Sequence, residues 1–207
     1  MGDYDLAASY YSKSIKIYET EYGIDSLEVA GIYNNIAENC FCRGEYKESA
    51  SLFLKSIRIK KKLLGPNHPD TAASYGNYAI VLSENGDYNN ALIYYNKALS
   101  TMENTLGCEH TETATIYSTI GSFWADQCDF DKAMEFYQKS LNIREKVLGL
   151  HNPSTATTYH NIASLLSDKG NLSEAIDYFN KAIEIREEIF GTNNPRTANA
   201  YYNLANT

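Results

Sequence analysis

The sequence predicts an all-α solenoid of stacked antiparallel helix pairs, and three observations predict it. The first is a phrase that recurs. Leu64-Gly65-Pro66-Asn67-His68-Pro69-Asp70-Thr71-Ala72 returns, eroded, from Leu106 to Ala114, from Leu148 to Ala156 and from Phe190 to Ala198, each copy 42 residues after the last. The second is the set of columns this interval creates. Gly23, Gly65, Gly107, Gly149 and Gly191 form one; Ala30, Ala72, Ala114, Ala156 and Ala198 another; Tyr33, Tyr75, Tyr117, Tyr159 and Tyr201 a third; Lys13, Lys55, Lys97, Lys139 and Lys181 a fourth. A fifth is Gly2, Gly44, Gly86, Cys128 and Gly170, in which cysteine replaces a turn glycine. Self-similarity at a period of about 20–50 residues is the mark of a stacked repeat protein. The third is that, inside each period, apolar residues fall three and four apart, the spacing of one face of a helix.

Taken in order, one period reads as two helices. From Asp70 to Ser83 the apolar or small residues are Ala72, Tyr75, Tyr78, Ala79 and Leu82. Pro69 suits a first helical turn, and Asp70 and Thr71 place polar groups at the helix start. Asn85-Gly86-Asp87 is a turn signal. A second helix follows from Tyr88 to Leu106, with Tyr88, Ala91, Leu92, Tyr95, Ala98, Leu99 and Met102 on one stripe, and Gly107 ends it in the left-handed conformation common after helices. Small residues at 79, 91 and 98 allow close helix approach, and Tyr and Leu fill the grooves between. No single pair buries its apolar face alone, so neighbours must stack. The expected organisation is one array over 1–207: a second helix at 2–22, pairs at about 26–64, 69–106, 111–148 and 153–190, and part of a first helix at 195–207. Neither end shows a polar capping repeat, so the chain reads as a segment of a longer array or as one whose ends stack on another copy.

These residues carry a resemblance. The order Tyr-x-Asn-x-Ala, Gly-[Asp/Glu]-Tyr, Ala, Tyr/Phe, Ala/Ser resembles the tetratricopeptide repeat, here lengthened from the usual 34 or so residues. The long second helix and the Leu-Gly-x-x-His-Pro-x-Thr-Ala link are similar to the repeats of kinesin light chains. The likeness spans the chain, although the first link lacks His-Pro, Gly121 replaces an alanine, and the coiled-coil heptads of a kinesin light chain are absent. It implies a right-handed superhelix whose first helices line a concave, peptide-binding groove. By position those groove residues are Asn34, Asn35 and Glu38; Gly76, Asn77 and Ile80; Ser118, Thr119 and Ser122; His160, Asn161 and Ser164; and Asn203, with Glu84, Asp126 and Asp168 further along. The Asn35, Asn77, Asn161 and Asn203 column offers a donor and an acceptor at each step, which suits either a peptide main chain or a tie between neighbouring repeats.

Composition narrows the partners. A net charge of -8 argues against nucleic acid or an anionic membrane. The groove positions carry no Lys or Arg, so electrostatic complementarity favours a neutral or basic protein segment. The basic residues, including Arg58, Lys60, Lys61 and Lys62, fall on second helices and read as a solvated outer face. No apolar run reaches the 20 or so residues that span a bilayer. No signal segment opens the chain, and Leu6 stands where lipidation of Gly2 would want Ser or Thr. Cys40, Cys42, Cys108 and Cys128 fit neither a disulfide framework nor zinc knuckles and read as reduced, mostly buried thiols of a cytoplasmic protein.

Candidates for chemistry are weak. His68, His110 and His151 stand in separate links, too far apart to share a metal. Cys40 and Cys42, two apart on a helix, point different ways. Cys108 and His110 lack an orienting third group. Trp124 falls in a core column. The chain is therefore read as non-catalytic, without cofactor or metal: an interaction scaffold, or alternatively a regulatory or self-assembly array of a larger multidomain protein.

Overall fold

The computed structural model describes residues 4–192 and 194–207; Gly2 and Asn193, read above in the turn column and the last link, lie outside them. The described residues form helices only. They fall into two compact units, 1–105 and 106–207. The first holds α1 (Tyr4–Tyr22), α2 (Leu27–Cys42), α3 (Tyr46–Leu63), α4 (Pro69–Glu84) and α5 (Tyr88–Thr105). The second holds α6 (Thr111–Asp126), α7 (Phe130–Leu148), α8 (Pro153–Asp168), α9 (Leu172–Phe190) and α10 (Pro195–Ala205). In each unit every helix packs on the next, so α2–α3, α4–α5, α6–α7 and α8–α9 are hairpins stacked on their neighbours within the unit.

The links explain why the helices start where they do. Ser26, His68, His110 and Asn152 cap α2, α4, α6 and α8, each side chain accepting from a backbone N–H of the first turn. Such a cap is worth about 1 kcal/mol. Three residues after each histidine cap, and at the same register in α8 and α10, stands a threonine. Thr71, Thr113, Thr155 and Thr197 are fully buried. Their hydroxyls donate back to the carbonyls of Gly65, Gly107, Gly149 and Gly191 at 2.8–3.1 Å. Each ties a link to the helix it opens and satisfies a carbonyl near the end of the preceding helix.

The core follows the columns. Ala30, Ala72, Ala114 and Ala156 are fully buried, as are Ala91, Ala98, Ala133 and Ala175, and the aromatic rings of Phe53, Tyr95, Tyr137 and Phe179 fill the space beside them. Tyr88 departs from its predicted stripe and is exposed. Gly121 has a packing reason: a Cβ there would stand 2.6 Å from Tyr137 Cδ1, and the Tyr137 hydroxyl donates to Ser122 Oγ at 3.0 Å. Trp124 is half-buried, packs on the core of the second unit beside Phe123, and carries Lys132 Nζ 4.0 Å from its ring centroid.

Turns inside hairpins need a left-handed residue. Gly44, Gly86 and Gly170 have φ of +76°, +82° and +84°, and Cys128 takes the same turn at φ +58°. A non-glycine residue in that region costs about 1 kcal/mol or more. Cys128 is also exposed, so its side chain gives little burial in return. Cys128→Gly is therefore expected to raise the stability of the second unit by about 1 kcal/mol, read as a higher urea midpoint with an unchanged slope.

Candidate functional site

The first helices of each hairpin carry the predicted partner-facing residues, and their side chains do link neighbouring repeats. In the first unit Asn77 Nδ2 donates to Glu38 Oε1 at 3.5 Å, and Asn34 Nδ2 to Ser74 Oγ at 3.4 Å, both joining α2 to α4. In the second unit Asn203 Nδ2 lies 3.0 Å from His160 Nε2, joining α8 to α10. Asn35 is exposed and Asn161 half-buried, and no hydrogen bond is seen for either amide. The asparagine column thus divides: two members tie repeats together, and two leave an amide for something else.

The remaining positions differ in access. Glu38 and Glu84 are exposed, and Ile80 is half-buried. In the second unit Thr119, Ser122 and Ser164 are half-buried, and Asp126 and Asp168 are exposed. The Thr119 hydroxyl turns back to the Thr115 carbonyl, and Ser122 holds the Tyr137 phenol. Gly76 and Ser118 are buried. A recess at this face is lined by Ser164, Ser167, Asp168, Phe179, Asn203 and Asn206. His160 stands at its back, edge-on to the Phe179 ring with centroids 5.4 Å apart. Burial, helped by the positive charge of Arg186, pulls its pKa down to about 4, so the imidazole is neutral at pH 7 and accepts from Asn203.

The basic residues are not all solvated, which also corrects the sequence reading. Arg58 and Lys62 do reach solvent. Lys60 is half-buried and donates to Ser74 Oγ at 2.8 Å and to the Asp70 carbonyl at 3.3 Å. In the same register Arg144 is buried and donates to Thr158 Oγ1 at 2.7 Å, to the Ser154 carbonyl at 3.0 Å and to Thr115 Oγ1 at 3.3 Å. Arg186, the next in that register, is buried as well. Lys60 and Arg144 thus brace the start of the following helix from inside. The exposed lysine column stacks on aromatic rings: Lys55 on Tyr33, Lys97 on Tyr94, Lys139 on Phe136 and Lys181 on Tyr178, at 4.7–5.4 Å from the centroids. Such contacts are worth about 0.5–1 kcal/mol each at exposed sites.

Groups that could carry chemistry are otherwise engaged. His68 and His110 spend Nδ1 on capping their helices, and His151 Nδ1 lies 2.6 Å from Glu188. Only Cys40 of the four cysteines is buried; Cys42, Cys108 and Cys128 are exposed, against the expectation of mostly buried thiols. The Cys40 sulfur and the Glu45 and Glu48 carboxylates lie within 4.8 Å of one another. Burial, then the charges of Glu48 and Glu45, push that thiol up to about 11, and Arg43 holds Glu45 at 2.9 Å. A thiol kept protonated is a poor metal ligand.

Within each unit the helix hairpins open on capped links and pack on their neighbours. The tetratricopeptide repeat model matches in overlapping runs over 1–62, 28–104, 70–146, 112–188 and 154–207. The chain belongs to the tetratricopeptide repeat family. No curated protein matches it in sequence. Among solved structures it is similar to BtubC (BKLC) of P. vanneervenii, with a TM-score of 0.74 at 22% identity over 92% of this chain and 76% of that one. It is also similar to a putative kinesin light chain of Podosopora anserina with nearly identical repeats, seen in two crystal structures. Each gives a TM-score of 0.69 at 20% identity, over 84% of this chain and 82% of that one. At such identities these likenesses establish the fold, a tetratricopeptide repeat solenoid of the kinesin light chain kind. Tetratricopeptide repeats generally serve as protein-interaction scaffolds. Among the described residues no helix is long and apolar enough to cross a membrane.

Proposed function

We propose that the chain is a non-catalytic scaffold that holds an extended, neutral or basic protein segment along the first-helix face of its repeats. The observation that carries this reading is the charge of that face. Its accessible positions in the first unit include Asn35, Glu38, Asn77 and Glu84, and in the second Asp126, Asn161, Ser164 and Asp168, with no Lys or Arg among them. Carboxylates at the rim steer a basic segment and reject an acidic one. The half-free amides of Asn35 and Asn161 suit a peptide main chain, whose donors and acceptors alternate. Exposed, unpaired thiols at Cys42, Cys108 and Cys128 favour a reducing compartment, the cytoplasm.

A fluorescence-anisotropy panel of acidic, neutral and basic peptides of equal length tests this at 50 and 200 mM salt. Basic peptides are expected to bind tightest and to weaken with salt. Replacing Asn35 and Asn161 together with Ala is expected to weaken them about tenfold, roughly 1.4 kcal/mol. Tight binding of acidic peptides, or affinity untouched by the double substitution, would remove the site from this face.

A further inference from the structure

We propose that the α2–α3 hairpin holds a binding site for a small aromatic ammonium compound, a flat ring carrying an amine on a short chain. The site is a cavity of about 470 Å³ between α1, α2 and α3, a size typical of small-ligand pockets. The repeat register explains why it is there. In the other hairpins an aromatic pair closes the joint: Tyr75 with Tyr94 at 5.8 Å, Tyr117 with Phe136 at 6.1 Å, Tyr159 with Tyr178 at 5.8 Å. In α2–α3 the tyrosine is kept as Tyr33, but Leu52 holds the partner position. Two neighbouring columns lose bulk at the same place. Asn39 stands where Val81, Phe123 and Leu165 are buried, and Cys40 where Leu82, Trp124 and Leu166 project larger side chains. Tyr33 and Ile36 are left half-buried, whereas Tyr75, Tyr117 and Tyr159, and Tyr78, Ile120 and Ile162, are at most 8% exposed in the same registers. The same three-helix arrangement recurs in α3, α4 and α5, where Tyr94 fills the space, edge-on to Tyr78 at 4.7 Å. The cavity therefore follows from side-chain size within the hairpin.

The lining says what fits. Tyr33, Ile36, Leu52 and Ile15 give the cavity an apolar body. A ring there takes the place of the absent aromatic side chain and meets Tyr33 in the tilted geometry that aromatic pairs prefer. At the end near the hairpin turn, the Cys40 sulfur and the Glu45 and Glu48 carboxylates lie within 4.8 Å of one another. Arg43 holds Glu45 at 2.9 Å, and among the described residues no cation pairs with Glu48. An ammonium at that end donates to a carboxylate in charge-assisted hydrogen bonds. Lys55 stands about 10 Å further along α3, over the Tyr33 ring at 5.4 Å from its centroid, and repels an ammonium from the other end. The two charges thus set one orientation, amine toward Glu48 and ring toward Tyr33. The cavity lies on the side of α2 that faces α3, away from the exposed side that carries Asn35 and Glu38.

Isothermal titration calorimetry of the 207-residue chain with tryptamine tests this. Saturable binding with a dissociation constant of about 0.1 mM is expected. Indoleacetate, which has the ring with an acid in place of the amine, and butylamine, which has the amine without the ring, are each expected to bind about tenfold more weakly or worse. Leu52→Tyr restores the ring that the other hairpins carry, and Cys40→Leu fills the cavity from α2. Each is expected to abolish tryptamine binding, with circular dichroism verifying that helical content matches the parent. Glu48→Gln, at an exposed position, keeps the cavity and is expected to weaken tryptamine about tenfold. Asn35→Ala with Asn161→Ala is expected to leave tryptamine affinity unchanged, which separates this cavity from the first-helix face. Absence of tryptamine binding at millimolar concentration overturns the proposal. So does equal affinity for the acid, affinity undiminished in a folded cavity-filling variant or in Glu48→Gln, or loss of binding in the paired asparagine variant.

Discussion

Replacing Arg144 with Met is expected to cost the second unit about 2 kcal/mol, and replacing Thr158 with Ile about the same, while the two together cost no more than about 2 kcal/mol where additivity would give about 4. The reason lies in what the guanidinium does. It is buried, and three of its N–H groups reach Thr158 Oγ1, the Ser154 carbonyl and Thr115 Oγ1. Arg144→Met removes charge-assisted bonds and leaves the Thr158 hydroxyl with only the Ser154 carbonyl of its own helix. Thr158→Ile does the reverse harm by taking the shortest bond from a buried charge, whose desolvation is then less well offset. With both changed, neither penalty remains and two apolar side chains fill the space. The chain has already made this exchange once. Fourteen residues separate Arg144 from Thr158, and likewise Lys60 from Ser74, cation and hydroxyl together. In the intervening copy the same two positions are Met102 and Ile116, both apolar and both buried. A denaturant double-mutant cycle reads the coupling directly, and strict additivity would show that the pair does not act as a unit.

That pair also shows how far the sequence could be read. The period, the helices and the turns were legible because each depends on local rules that five copies repeat: apolar spacing, a capping residue, a residue with positive φ. The buried cations were not. Met102 interrupts their column, and Lys60 beside Lys61 and Lys62 looks like part of a charged surface until the hydroxyl fourteen positions later is taken with it. The link threonines were legible only as far as Thr71, a polar residue at a helix start, because the carbonyl each one bonds lies six residues earlier and no local rule points to it. The cysteines misled for a related reason. Thiols bury often as a class, yet Cys108 and Cys128 stand in a link and a turn, which have no interior to enter. On the first-helix face, register alone could not say which asparagines are already bonded. Asn77 reaches Glu38 and Asn203 reaches His160 only because stacking brings those helices side by side.

His160 makes that last tie sensitive to acid. Its pKa is held near 4 in the folded chain against about 6.5 in an unfolded one. Folding therefore favours the neutral ring. Its contribution to stability is complete above about pH 6.5 and is lost as pH falls from there toward 4, the range in which the unfolded chain binds the additional proton. Protonation turns Nε2 from acceptor to donor, so it opposes the Asn203 amide, and it brings a second positive charge toward Arg186 in a half-buried site. Lowering pH from 7 to 4.5 should therefore destabilise the packing of α8, α9 and α10 by about 2 kcal/mol from this residue alone. Carboxylates titrate in the same range, and Asp129, lowered by its bonds to Lys132, is one in this unit. The comparison that isolates the imidazole is with His160→Gln, whose amide oxygen can still accept from Asn203 but does not titrate. Hydrogen exchange of α8 and α10 amides at the two pH values, after correction for intrinsic rates, is expected to show protection falling about thirtyfold more in the parent than in the variant. Equal losses in the two proteins would mean that the ring is not what the acid acts on. If the first-helix face also holds a basic segment, the same protonation adds a positive charge behind the recess lined by Ser164 and Asp168. Binding should then weaken only as pH approaches 4, where the folded ring itself takes the proton, in the parent and not in His160→Gln.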